Sequence, residues 1–283
     1  MRIRLDIAYD GGLFRGWARQ PGLRTVQGVL ETALARILGG EPRLVVAGRT
    51  DAGVHASGQV AHLDLDAAQQ RRLRDRRACA AASDDEHAQA LAARIAGALG
   101  AYPDVAVTAS ARAPEGFDAR FSPLWRRYTY RIADRRTGYD PRERARTTTV
   151  RSLLDVDLMR AAARELIGLH DFAAFCKQRE GATTIRTLID FDWQRDERGV
   201  VCGHVRADAF CHSMVRALVG GCVAAGEGRL APAELATILR ARRRVPEVKV
   251  LAARGLTLVE VGYPDPELLA ARAEQTRARR DAQ

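Results

Sequence analysis

The sequence predicts an α+β fold made of two halves, each alternating strands and helices in the order of a ferredoxin-like unit. Three observations carry this expectation. Residues 3–9 alternate apolar and polar, residues 25–40 frame one amphipathic helix between a cap and a stop, and from Tyr128 onward a second strand–helix series repeats the theme. No repeat is visible at the level of residue identity, so the two-fold organisation rests on the order of elements.

In the first half, Ile3, Leu5 and Ile7 alternate with charged neighbours, which predicts a half-buried strand over Ile3–Tyr9. The Gly, Pro and Arg residues that follow, through Gly22, read as a loop. Thr25 can cap a helix in which Val26, Val29, Leu30, Ala33, Leu34, Ile37 and Leu38 share a stripe, and Gly39-Gly40 stops it. Leu44–Arg49 and Gln59–Leu65 are two more strands. After a variable, Arg- and Ala-rich stretch from Asp66, which reads as a partly disordered surface insert, Ala90–Leu99 is helical and Val105–Thr108 is a strand.

The second half opens with the strand Tyr128–Ile132, and Asp155 caps a helix through Leu166. Ile189, Phe191 and Trp193 alternate with Asp190, Asp192 and Gln194, so Leu188–Gln194 is a strand, and Val200–Arg206 is its hairpin partner across Asp196–Gly199. Helices over His212–Ala225 and Ala233–Arg240 precede a closing strand, Leu256–Val261. The expected domains are residues 1–110, residues 111–263, and a flexible basic tail over 264–283.

The net charge of +10 and a pI near 10.0 suit a polyanionic partner, because basic surface gains free energy by releasing condensed counterions. Part of that charge is uninformative: Arg71, Arg72, Arg74, Arg76 and Arg77 form a run that suits a solvated face, and Arg272, Arg277, Arg279 and Arg280 lie in the tail. No stretch reaches the roughly 20 apolar residues that span a bilayer, and the N-terminus has no signal-peptide core. Five cysteines, at 79, 176, 202, 211 and 222, are odd in number and lack a Cys-x-x-Cys pair, which argues against a disulfide framework or a zinc site. The adjacent Cys211-His212 has no second pair to complete a metal set and reads as structural. A reduced, cytoplasmic, metal-free chain is expected.

The most informative segment is Gly48-Arg49-Thr50-Asp51-Ala52-Gly53-Val54-His55-Ala56. It places an arginine and a carboxylate two positions apart on the turn that ends an apolar run. An ionised carboxylate in a sheltered cleft suits nucleophilic chemistry, although Asp and Gly are also ordinary turn residues and Arg49 alone is an ordinary surface charge. In Arg126-Arg127-Tyr128-Thr129-Tyr130-Arg131, Tyr128 and Tyr130 share one face of a strand while Arg127 and Thr129 share the other. Rings beside arginines can stack on an unpaired base, yet tyrosine is also a good strand former. Arg216 lies on the helix that begins near His212, where a lone arginine is ordinarily solvated. No phosphate-binding loop, dinucleotide fingerprint or metal cluster is present.

Gly48–Ala56 resembles the hallmark of the TruA-type tRNA pseudouridine synthases. Further segments match that family in order: Tyr9-Asp10-Gly11 with Gly16-Trp17, Thr25-Val26-Gln27, Phe117-Asp118-Ala119-Arg120, Arg127-Tyr128-Thr129-Tyr130, Phe210–Arg216 and Gly255-Leu256-Thr257-Leu258. The blocks span most of residues 3–263. The resemblance implies two RRM-like halves joined into one continuous, mainly antiparallel sheet, with helices on one face and a central active cleft. It implies isomerisation of uridine to pseudouridine at positions 38–40 in the tRNA anticodon stem-loop, without a cofactor, by a homodimer. It further implies that Asp51 is the catalytic nucleophile and that Arg216 pairs with it. Tyr128 would pack on the target uracil and Arg49 would enter the RNA as the uridine leaves its stack; Tyr130 is assigned to the core. Whether Asp51 attacks the ribose or deprotonates a sugar intermediate stays open.

The chain departs from the family between Asp66 and Asp104. The stretch reads as longer than its counterpart, and Gly97–Asp104 stands where the family carries an Asn and a Leu-Pro pair. A non-catalytic RRM-like binder would explain charge and fold, but there is no good match to the RNP1 pattern and no reason for the Arg49–Asp51 arrangement. A nucleoside or glycoside hydrolase would need a second carboxylate or a metal; Asp10 could be offered as that carboxylate, yet Asp-Gly-Gly is a plain turn.

Overall fold

The computed structural model describes residues 1–74, 82–100, 102–177 and 183–281, with side chains to residue 278. Arg76, Arg77, Cys79, Ala101, Arg279 and Arg280, which entered the sequence reading, lie wholly or by their side chains outside the described residues. The chain is a mixed α+β protein with mostly antiparallel strand pairing, divided into two compact units. The first holds Met1–Leu124 and Glu260–Ala282, the second Trp125–Val259. The sequence drew its divisions at 110 and 263.

In the first unit, β1 (Arg2–Tyr9) buries Ile3, Leu5, Ile7 and Tyr9 on one face, as its alternation requires. The helix α1 (Val26–Leu38) is capped by Thr25, whose Oγ1 accepts the Gly28 N–H at 3.3 Å, and it ends at Gly39 with φ +70°. Its buried stripe includes Glu31, whose carboxylate accepts the Leu44 N–H at 3.0 Å and the Gln27 Nε2 at 2.9 Å. The strand expected over Leu44–Arg49 shrinks to β2 (Val45–Val46), because the chain leaves the ladder after Ala47. By contrast β3 (His55–Asp64) starts four residues earlier than the sequence suggested. After α2 (Ala67–Arg74), α3 (Asp84–Ala98) opens with a reciprocal Ser83–Glu86 capping box and packs on β4 (Val105–Arg112). Of the stretch expected as a partly disordered insert, the described parts are largely helical and residues 75–81 lie outside the described residues. β1 pairs antiparallel with β3 on one side and β4 on the other, and β2 pairs with β3.

The second unit begins with β5 (Trp125–Ala133), which pairs parallel with the short β6 (Thr148–Thr149). Asp155 caps α4 (Val156–Arg164), with its carboxylate accepting from the N–H groups of Asp157 and Leu158. β7 (Gly168–Asp171), β8 (Ile185–Arg195) and β9 (Val201–Ala207) follow, and the antiparallel order is β5-β9-β8-β7. The β8–β9 hairpin closes at Asp196, whose Oδ1 accepts the Arg198 and Val200 N–H groups. Gly203 on β9 lies under the Trp193 ring, where a Cβ would sit 2.7 Å from the indole. The helix α5 (Met214–Gly226) buries nearly every residue and packs against α4; α6 (Glu234–Ala241) follows. Asp134 is buried and accepts from Arg195 and from the N–H groups of Arg136, Thr137 and Leu154. Burial alone would favour its neutral acid, but the guanidinium and these backbone donors outweigh that and hold the carboxyl well below the usual range.

The strand β10 (Leu256–Gly262) carries the chain from the second unit back into the first. The expected basic tail then forms α7 (Leu269–Asp281). Leu269 and Ala273 are buried, the Leu269 carbonyl accepts the Ser122 hydroxyl, and Arg277 pairs with Asp118 at 2.8 Å. One cysteine expectation is overturned: Cys176 and Cys211, 35 positions apart, are joined as a disulfide with a Cα–Cα distance of 5.8 Å. Separation along the chain hid the pair, because only the fold sets that distance. Cys202 and Cys222 are free and buried.

Candidate active site

Asp51 sits half-buried on the loop between β2 and β3, and the surrounding unit pins that loop at almost every residue. The Gly48 carbonyl accepts from Gln59 Nε2 at 2.9 Å, and the Thr50 carbonyl accepts the Trp17 N–H at 3.0 Å. The Thr50 hydroxyl meets the Tyr9 hydroxyl at 2.8 Å. Beyond Asp51, its own carbonyl accepts the Val54 N–H at 3.2 Å, a tight turn that Gly53 permits at φ +78°. The Gly53 N–H donates to the Phe14 carbonyl at 3.3 Å, and His55 Nδ1 accepts the Gly11 N–H at 3.1 Å.

Two glycines let the segment after β1 approach this closely. A Cβ on Gly11 would overlap the Val54 carbonyl, and one on Gly16, at φ +92°, would sit 3.0 Å from the Thr50 carbonyl. Close backbone approach is a task only glycine performs. Arg49 lies exposed on the same loop, so Arg49 and Asp51 share one rigid support. The sequence located the acid and the arginine; it did not reveal Tyr9, Gln59 and His55 as the groups that hold their loop.

In the second unit, Tyr128 lies on β5 with its side chain buried and its ring edge-on to Phe210, centroids 5.1 Å apart. Tyr130, two residues on, is fully buried and donates to the Ala252 carbonyl at 2.7 Å while contacting the Thr148 hydroxyl at 2.9 Å. Burial pushes its phenol up to about 12. Arg216 sits in the first turn of α5, half-buried, and its Nε donates to the Leu251 carbonyl at 2.5 Å. Just before this turn Ser213 adopts φ +63°, a left-handed conformation uncommon for a side chain with a Cβ and frequent at functional sites. Phe210, Leu251 and Ser213 were not singled out from sequence individually, although Phe210–Arg216 stood in a motif. The four expected site residues thus fall into two pairs, Arg49 with Asp51 and Tyr128 with Arg216, each within one unit.

Among the described residues, no three His, Cys, Asp or Glu side chains gather as metal ligands, and no helix is long and apolar enough to cross a membrane. Comparison with known proteins adds to this geometry. A profile of the tRNA pseudouridine synthase family matches residues 162–264. The chain is 59% identical over 285 residues to the tRNA pseudouridine synthase A of Leifsonia xyli, covering 99% of this chain and 97% of that one. It is 54% identical over 280 residues to the protein of the same name from Frankia casuarinae, covering 98% and 95%. Against the one from Streptomyces griseus the identity is 50%, covering 98% and 93%. The chain belongs to the TruA-type tRNA pseudouridine synthase family, as its motifs implied. It is accordingly an isomerase that acts on tRNA.

Proposed function

We infer that the chain isomerises uridine to pseudouridine at positions 38–40 of the tRNA anticodon stem-loop, with Asp51 as the group that acts on the reacting ribose. The observation that supports Asp51 is the immobilised loop. A reacting carboxylate has to be held at a fixed position, and here both flanking peptide segments are clamped while the side chain keeps partial exposure. The glycosidic C–N bond breaks, the uracil turns, C5 bonds to the same ribose carbon and gives up its proton to solvent, and the freed N1 takes up a proton in its place. Atoms are conserved and no electrons are exchanged, so the reaction requires no cofactor.

Arg216 is the proposed partner of Asp51. A guanidinium beside a carboxylate opposes the effect of desolvation and favours the anion. Tyr128 would stack on the extruded base, offsetting part of the few kcal/mol that unstacking costs. Arg49 would occupy the gap the uridine leaves. The strand order β4-β1-β3, with β2 on β3, supports the ferredoxin-like reading of the first half; one continuous sheet with a central cleft, action as a homodimer and a cytoplasmic location complete the proposal.

Incubating the protein with tRNA tritiated at uridine C5 tests this reading, since formation of the new bond releases that label. Asp51→Asn is expected to bind tRNA with an affinity close to that of the unaltered protein and to release no tritium. Substantial turnover by this variant would remove Asp51 from the chemistry. Release from tRNAs lacking uridine at 38–40 would overturn the positional assignment.

A further inference from the structure

We propose that Tyr9, Gln59 and Thr50 form a buried hydrogen-bond relay whose task is to position Asp51, making them positioning residues for the isomerisation rather than parts of a passive core. The inference rests on the assignment of Asp51 and goes beyond it.

The relay starts at Gln59. Gln59 is fully buried on β3, and its Nε2 donates to the Gly48 carbonyl at 2.9 Å and to the Tyr9 hydroxyl at 3.3 Å, while its Oε1 accepts the Val60 N–H at 3.2 Å. A flipped amide would set oxygen against the Gly48 oxygen, so this orientation is the satisfied one. Tyr9 thus accepts from Gln59, and its hydroxyl shares a second hydrogen bond with Thr50 Oγ1 at 2.8 Å. The two contacts reach the loop at Gly48 and Thr50, on the N-terminal side of Asp51.

The placement depends on an irregularity in the sheet. Ile7 lies opposite Gln59, but Tyr9 lies opposite Ala56, so β3 carries one extra residue between them. Such a bulge re-aims side chains and is common beside active sites. Ile7, Gln59 and Tyr9 share the buried face, where aliphatic side chains of similar size would pack as well and avoid the desolvation of an amide and two hydroxyls. Replacing paired buried polar groups by apolar ones of the same shape is often close to neutral for stability. Fixing the loop is the benefit the polar version adds. A displacement of about 1 Å at a reacting group can cost about 100-fold in rate.

The test compares Tyr9→Phe, Thr50→Val and Thr50→Ser with the unaltered protein in the tritium-release assay, recording kcat, KM and Tm. Tyr9→Phe and Thr50→Val are expected to lower kcat by about 10-fold or more with KM changed less than about two-fold, while Thr50→Ser, which keeps the hydroxyl, stays near the unaltered rate. If Tyr9→Phe does not fold, the Thr50 pair carries the comparison alone. Full kcat in Thr50→Val would overturn the proposal. So would equal losses in Thr50→Ser and Thr50→Val tracking their Tm, because that pattern marks a packing role. An unaltered protein that releases no tritium would instead refute the activity assigned above, before any variant is compared.

Discussion

At the scale of single residues, the buried tyrosines give the molecule a pH dependence with a definite sign. Burial pushes the phenols of Tyr9 and Tyr130 up to about 12, against about 10 in an unfolded chain. The native state therefore holds these protons more tightly than the unfolded state. Their stabilising contribution is fully present below pH ~10 and is lost as pH rises toward ~12, at most about 2–3 kcal/mol for each. The urea midpoint is expected to stay level to about pH 9.5 and then fall, and the double variant Tyr9→Phe, Tyr130→Phe should flatten most of that fall. An unchanged slope in the double variant would show that other groups govern the alkaline limb. What the sequence disclosed at this scale was the motif residue itself: Asp51 stood out, whereas Tyr9 and Gln59 reach its loop at Thr50 and Gly48 across 41 and 11 positions of sequence, and no local pattern links them.

Among the elements, one demanding contact is the approach of the segment after β1 to the residue that precedes β3. Gly11 leaves no room for a Cβ against the Val54 carbonyl, so Gly11→Ala must move one backbone relative to the other. That shift propagates into the turn Asp51–Val54. The expected result is a loss of turnover by an order of magnitude or more alongside a destabilisation of about 1–3 kcal/mol, measured by tritium release and urea unfolding. Gly12→Ala, whose Cβ would meet only the Asp10 carboxylate at 3.1 Å, is the control and should change little. Elements whose signals are local were legible: Thr25 and Asp155 cap the helices the sequence placed behind them. β2 was overestimated because apolar run length says nothing about where a strand leaves its ladder. α7 was missed because, among the described residues, Leu269 and Ala273 are the buried anchors of an otherwise polar, arginine-rich helix, and its pairing with Asp118 spans 159 positions.

For the molecule as a whole, the docking of α7 means that residues after Gly262 contribute to stability. Ending the chain at Tyr263 would remove Leu269 and Ala273 from their buried sites and leave Asp118 without its ion pair to Arg277. The truncated protein is expected to lose about 2–4 kcal/mol and several degrees in Tm, by calorimetry. A tail without a structural role would leave the transition unmoved. The mixed α+β character was readable because strand and helix periods are local. The return of the chain into its first unit was not, since it follows from contacts between segments more than a hundred residues apart.

That return has a consequence for biosynthesis. The second unit is one uninterrupted stretch, Trp125–Val259, so every residue it needs has been translated before the ribosome supplies Glu260–Ala282. The first unit begins earlier but waits for the end of β10, from Glu260, and for α7. On a translating ribosome the later-encoded unit is therefore complete first, and the loop bearing Asp51 belongs to the unit whose last pieces arrive at the end.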